Sequence, residues 1–255
     1  MKALIPAAGH GTRFLPVTRV VPKEMLPIGA KPAIQLIVEE ALAAGADEVV
    51  IVISPEKEII RHYFVGDEMF SRHIRWVYQT EQKGLGHAVL QAADVFGDER
   101  EPILTLLGDA LVAGETPSAA MTAISRACGG VSVVGLEEVP LERVSRYGIV
   151  APDKSFNGID GFGDPERILK LADLVEKPSA EAAPSRLAIA GRYLLAPEIF
   201  GLLASQAPGV GGEIQLTDAI RRLLAIKPVY GYRYPGARHD IGNPAGYLKA
   251  LQAFA

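Results

Sequence analysis

One cysteine, Cys128, is present in 255 residues. An intrachain disulfide is therefore excluded, and nothing speaks for an oxidising compartment. Cys128 falls where a helix gives way to a strand, and it reads as a small buried hydrophobe rather than a nucleophile. Runs of basic residues are missing as well: 26 Lys and Arg face 30 Asp and Glu, for a net charge of −4. A nucleic-acid surface needs clustered cations, so that partner is excluded and any anion must sit in a local pocket. No segment reaches the about 20 apolar residues of a membrane span. No signal-peptide pattern precedes the first strand, so the expectation is a cytoplasmic protein with no membrane partner. The Ser/His/Asp and Cys/His sets of covalent catalysis are absent. So are two phosphate-binding motifs. There is no G-x-x-x-x-G-K-[ST], and Gly9-His10-Gly11-Thr12-Arg13-Phe14 lacks the third glycine of the dinucleotide fingerprint.

What is there begins with a core: 49% of residues are apolar and 22% charged. The most informative stretch is residues 2–28. Lys2 to Ile5 is a short apolar run before a turn signal, hence a buried strand. Ala7, Ala8, Gly9, Gly11 and Thr12 follow, small residues that let a ligand approach backbone N–H groups. Arg13 and Lys23 add cations, and Pro16, Pro22 and Pro27 stiffen the connection. Backbone donors with cations suit a polyphosphate. The plainer alternative is a glycine turn between a strand and a helix.

Further along, helical spacing over Pro32 to Ala44 ends at Gly45. Glu48 to Ile53 is a continuous β-branched run, the mark of a strand buried on both faces. Helices are expected over Pro55 to Phe64 and Gly86 to Phe96, and strands over Ile74 to Gln79 and Pro102 to Leu107. This alternation predicts an α/β fold: a Rossmann-like, mostly parallel sheet flanked by helices. Ligands in such sheets sit at the carboxyl ends of the strands. The rhythm changes after residue 130. Val131 to Val139, Tyr147 to Ala151, Ile168 to Glu176 and Leu187 to Leu195 read as strands with few helices between. The connection from Phe156 to Pro165 is rich in glycine and aspartate. Helices over Pro197 to Ala204 and Gln215 to Ala225, a strand over Val229 to Tyr234 and a closing helix over Asn243 to Phe254 complete the chain. No linker divides it. One domain is expected, with a nucleotide part over 1–130, a mixed β-rich part over 131–240 and a closing helix over 241–255.

The glycine loop, the segment after Gln79 and Asp109 each follow a strand and are expected on that sheet edge. Asp109 follows an apolar strand and Gly108. It suits a Mg²⁺ ligand, because hard cations take oxygen donors, and it equally suits a cap on a following helix. Asp240, in His239-Asp240-Ile241-Gly242-Asn243, offers a second carboxylate, while Asn243 is placed to cap the last helix. Gln79 carries both a donor and an acceptor, so it can pair with the edge of a base, and Gly84 lets backbone come close. His87 reads as a packing or capping residue, with neighbours that fit no zinc spacing.

The long string AAGHGTRFLPVTRVVPKEMLPI resembles the signature of the sugar-nucleotide pyrophosphorylases, in the form found in bacterial uridylyltransferases. The resemblance implies the nucleotide-diphospho-sugar transferase fold with a sugar-binding β-rich portion. It implies a nucleotidyltransferase that joins UTP and glucose 1-phosphate to give UDP-glucose and pyrophosphate, with Mg²⁺ as cofactor. By the same resemblance Ala8, Gly9, Gly11, Thr12 and Arg13 hold the nucleotide. K-G-L-G-H-A-V places Gln79 and Gly84 at the base. Y-G-I-V and E-K-P place Gly148 and Glu176 on the hexose and Lys177 on its phosphate. Otherwise Glu176-Lys177 is a solvated strand end. G-D-A, with glycine where the family more often has proline, and H-D-I-G-N assign the metal to Asp109 and Asp240. Arg13, Lys23 and Lys177 become the catalytic cations. G-G-E-I-Q-L-T-D, at 211–218, is expected to start a helix at the wall of the sugar pocket. Thymidylyl or cytidylyl transfer, and a nucleotide-sugar sensor without turnover, stay open beside this reading. The stretch between Phe64 and Ile74 and the end of the chain are short for the family, and both regions bear on whether the chain forms a homo-oligomer.

Overall fold

The structure is a computed structural model that describes residues 1–159 and 166–255. Of the Phe156 to Pro165 connection, residues 160–165 lie outside the described ones. Strand β1 (Lys2–Pro6) forms the centre of a parallel group, between β4 (Glu48–Ile53) and β6 (Ile103–Leu106), with β5 (Ile74–Tyr78) outside β4. Two-residue strands β2 (Pro27–Ile28) and β3 (Lys31–Pro32) pair with each other. After Glu48, the run Val-Val-Ile-Val-Ile of β4 shows why a central strand of this group is apolar. Successive side chains point to opposite faces, and both faces are covered. Val49, Ile51 and Ile53 pack into one core with Ile34, Ile37 and Val38 of α1 (Ala33–Ala43) and Ile60 and Phe64 of α2 (Glu58–Val65). Val50 and Val52 join a second core with Val89 of α4 (Leu85–Leu90), Ile199 of α6 (Ile199–Ala204) and Ile220 of α7 (Leu216–Leu224). Helix α1 ends as its sequence requires. Gly45 takes φ +92°, a left-handed stop that glycine adopts without strain, and Ala46 N donates back to Ala41 O at 3.1 Å.

Beyond β6 the sheet turns mixed. Among the described residues its nine strands run in the order β5-β4-β1-β6-β11-β8-β12-β10-β9. Here β8 is Ser132–Glu138, β9 Gly148–Pro152, β10 Ile168–Glu176, β11 Leu187–Leu195 and β12 Val229–Arg233. Strand β11 is antiparallel to both β6 and β8, so it joins the parallel group to the later strands in one sheet. Two helices are shorter than their patterns predict. The 55–64 segment starts as a 3-10 turn over Pro55–Lys57, and α4 stops at Leu90 before another over Ala93–Val95. Short α3 (Glu68–Ser71) fills the compact 64–74 stretch, and α5 (Ser118–Ala127) leads to Cys128, which is half-buried with its thiol pKa pushed up by burial. Among the described residues no helix is long and apolar enough to cross a membrane.

One small element has no counterpart in the sequence patterns. Strand β7 (Ala110–Ala113) pairs antiparallel with β13 (Ala237–Asp240), with Ala110 opposite Asp240. Asp109 therefore leads into a strand, and it has no helix to cap. The last helix, α8 (Pro244–Ala253), is capped by Asn243, whose Oδ1 accepts from Gly246 N at 2.9 Å.

Candidate active site

The glycine loop leaves β1 with its carbonyl oxygens held and its N–H groups open. Lys57 Nζ donates to Ala7 O at 2.8 Å, Gln82 Nε2 to Ala8 O at 3.2 Å, and Thr18 Oγ1 to Gly11 O at 2.9 Å. Among the described residues nothing accepts from the N–H of Ala8, Gly9 or Gly11. Underneath, Lys57 and Glu24 form a buried ion pair at 2.8 Å. Burial lowers the pKa of Lys57 and raises that of Glu24, so desolvation outweighs the attraction between them. The pair ties the loop to the turn that carries Lys23.

Lys23 Nζ lies 2.5 Å from Asp109 Oδ2. Burial by itself would raise Asp109 and lower Lys23. Their mutual attraction overrides it, so Asp109 is held below the usual carboxylate range and Lys23 above the usual ammonium range. Glu24 and Asp240 add to the hold on Lys23. The β7–β13 ladder brings the two aspartates together, and Ile241 N donates to Asp109 O at 2.9 Å. A Cβ placed on Gly242 would stand 2.8 Å from Asp240 Oδ1, 3.2 Å from Asp109 Oδ2 and 3.9 Å from Arg13 Nη1. Two carboxylates from distant parts of the chain thus share a cradle that any side chain at 242 would fill.

Two cavities meet at this cradle. One, of about 420 Å³, is lined by Ala8, Gly9, Gly11, Thr12, Lys23, Gln79, Gly84 and Asp109. The other, of about 210 Å³, is lined by Arg13, Asp109, Gly148, Glu176 and Asp240. Asp109 belongs to both walls. Gly84 opens the first cavity in a conformation closed to other residues: its φ is +97°, and a Cβ there would stand 2.7 Å from Glu213 Cβ. Lys177 lines neither cavity. Its Nζ stands 3.4 Å from Oε1 of Glu176, which lines the second. It is the one non-glycine among the described residues with a positive φ, +46°.

Thr217, in the 211–218 segment expected to start a helix at the wall of the sugar pocket, lies on the wall of the second cavity, and α7 begins at Leu216 after Gln215, whose side chain makes no cap. Sequence reasoning passed over Tyr193 and Arg238, which line the same cavity. Arg238 is held by Glu137, with Nε 2.7 Å from Oε1, and its guanidinium stacks 4.9 Å from the centre of the Tyr147 ring. The available signal for Arg238 was its place two residues before Asp240, which puts both on one face of a strand.

Comparison with known proteins decides the class. The nucleotidyl transferase family model matches residues 2–255. The chain belongs to this family. Among curated relatives, UTP–glucose-1-phosphate uridylyltransferase 2 of Staphylococcus saprophyticus is 42% identical, covering 100% of this chain and 91% of that protein. The Bacillus subtilis UTP–glucose-1-phosphate uridylyltransferase is also 42% identical, with 100% and 90% covered. Both alignments run over 275 positions against 255 residues here, so these nucleotidyl transferases carry segments that this chain lacks. Among solved structures, a UDP-glucose pyrophosphorylase complexed with UDP-glucose matches with a TM-score of 0.88 and 39% identity, over 99% of this chain and 97% of that one. The UTP-bound enzyme of Acinetobacter baumannii matches with a TM-score of 0.84 and 33% identity, over 99% and 92%.

Proposed function

We propose that this nucleotidyl transferase is a UTP–glucose-1-phosphate uridylyltransferase acting through its whole length as one unit. Residues 1–130 hold the nucleotide, 131–240 the sugar, and 241–255 close the fold. One observation carries the reading: Asp109, on the wall of both the glycine-loop cavity and the cavity of Gly148 and Glu176, shares the Gly242 cradle with Asp240 of the second cavity. The uridylyltransferase relatives and the ligands of the solved structures support the choice of UTP and glucose 1-phosphate.

The chemistry asks for positioning rather than for a covalent intermediate. A phosphate oxygen of glucose 1-phosphate is already ionised at neutral pH. It attacks the α-phosphorus of UTP, a new P–O bond forms, and the bond to the β-phosphate breaks as pyrophosphate leaves. The obstacle is repulsion between two anions and the charge that builds in the transition state. The open N–H groups of Ala8, Gly9 and Gly11, with Thr12, receive the triphosphate, and Gln79 and Gly84 face the base. Asp109 and Asp240 would hold Mg²⁺, which when bound supplies charge neutralisation at the phosphates. The donor set fits that ion: two hard oxygen ligands converge, and no larger His, Cys, Asp or Glu cluster competes among the described residues. Lys23 neutralises Asp109 beforehand and turns its ammonium to the leaving pyrophosphate, with Arg13 beside it. Glu176 accepts from vicinal sugar hydroxyls at Gly148, and Lys177 reaches the sugar phosphate. The left-handed backbone at Lys177 is the kind of strain that clusters at working residues.

The test is pyrophosphate release with Mg²⁺, each nucleoside triphosphate and several sugar 1-phosphates. UTP with glucose 1-phosphate is expected to give the highest kcat/KM. A preference for dTTP or CTP overturns the base assignment, and release from no pair overturns the enzyme. Lys177→Ala is expected to lower turnover by about 10²–10³. Near-normal Mg²⁺-dependent turnover in that variant removes Lys177 from the mechanism.

A further inference from the structure

His87 lies on the first turn of α4, and its ring stands between two glutamines. Gln79 Nε2 is 2.9 Å from His87 Nδ1, and Gln91 Nε2 is 3.2 Å from His87 Nε2. Gln79 is only 2% exposed, yet it lines the glycine-loop cavity. Its amide nitrogen also lies 3.4 Å from Gly84 O, an atom that only accepts. With the nitrogen engaged on that side, Oε1 takes no hydrogen bond among the described residues. It is the polar atom the side chain has left for an occupant of the cavity.

A neutral imidazole has one donor and one acceptor nitrogen. For Nδ1 to accept from Gln79, the ring proton must be on Nε2, facing Gln91. Gln91 is half-buried, and among the described residues its only other side-chain hydrogen bond is to His87 O, which already accepts from Gln91 N at 3.2 Å. Gln91 is therefore free to turn its amide and accept the ring proton. Buried Gln79 has no such freedom.

We infer that His87 fixes the direction of the Gln79 amide and so makes the base pocket select a ring N–H donor over a ring acceptor. Uracil and thymine carry that N–H on their Watson–Crick edge. Cytosine has an unprotonated nitrogen there, which meets Gln79 Oε1 as a second acceptor. A site built to hydrogen-bond one edge rejects a mismatched one, because buried polar groups are left unpaired. His87 is a positioning residue here, acting through Gln79. The inference rests on the cavity being the nucleotide site.

The experiment compares kcat/KM for UTP and CTP, each with glucose 1-phosphate, in the unmodified enzyme and two variants. His87→Leu removes the acceptor and lets the amide turn. The UTP-to-CTP ratio is expected to fall by about 10–100-fold, the scale of leaving one buried polar group unsatisfied, while KM for glucose 1-phosphate stays within about twofold of the unmodified value. His87→Asn places a side-chain oxygen near the position of Nδ1 and is expected to restore most of the ratio. Equal losses for both nucleotides in His87→Leu reduce His87 to packing and overturn the inference. So does an asparagine variant no more selective than the leucine one. An unmodified protein that turns over neither nucleotide defeats the underlying functional reading, and this inference falls with it.

Discussion

Asp109→Asn is expected to lower uridylyl transfer by on the order of 10³, at the upper end of what loss of one charged contact costs in a preorganised site. The size follows from how many partners the carboxylate serves. It lines both cavities, shares the Gly242 cradle with Asp240 and holds Lys23 at 2.5 Å. Asparagine keeps the shape and removes the charge. The cradle then has one anionic ligand for Mg²⁺ instead of two, and Lys23 loses its strongest attraction. Asp109 is half-buried and sits at the end of a strand rather than in either apolar core, so thermal unfolding is expected to move little. Steady-state pyrophosphate release across a Mg²⁺ titration, beside a thermal melt, checks both halves. Turnover within tenfold of the unmodified enzyme at every Mg²⁺ concentration would take Asp109 out of the metal site.

The route to that site was partly written in local sequence. Residues 49–53 announce themselves because a strand covered on both faces needs apolar side chains at every position. Asp109 reads as a residue of the ligand edge because it follows an apolar strand, and Asp240 reads only as a second carboxylate to go with it. The element that joins them was not legible. Residues 237–240, Ala-Arg-His-Asp, have no apolar pattern, and the strand forms because β7 offers it a ladder across more than a hundred residues of chain. Local reading therefore kept a helix cap open for Asp109, which the strand at 110–113 removes. Gln79 shows the same limit. Its amide chemistry suits a base from sequence alone, but the direction of that amide depends on His87, which the sequence leaves as a packing or capping residue. Arg238 is a third case, since both partners that hold it, Glu137 and Tyr147, lie about a hundred residues away in sequence. Patterns report which residues are buried and where strands end; which polar groups face each other is settled by tertiary register.

The largest loss of stability is expected from breaking the ion pair between Glu40 on α1 and Arg192 on β11. Arg192 is fully buried, with Nε 2.9 Å from Glu40 Oε1 and Nη2 2.7 Å from Oε2. Its Nη1 donates to Gly191 O at 3.1 Å, and Ser118 Oγ at the start of α5 donates to Glu40 Oε1. The network thus pins two helices to the strand through which the parallel half of the sheet meets the mixed half. Taking ions out of water is expensive, and the pair is tolerated because each charge has a bidentate partner. Glu40→Leu removes that partner and strands a buried guanidinium, so the loss is expected to be about 3–5 kcal/mol. For a chain of this size that corresponds to a fall in Tm on the order of 10 °C. The pair Glu40→Leu with Arg192→Met, apolar at both positions, is expected to recover most of the loss, because the cost lies in the unpaired charge rather than in a missing attraction. Denaturant unfolding of the single and double variants distinguishes these terms. A single variant that loses less than about 1 kcal/mol, the scale of an exposed ion pair, would show that water reaches Arg192. A double variant as unstable as the single one would show instead that the hydrogen bonds to Gly191 and Ser118, not the unpaired charge, hold the two halves of the sheet in register.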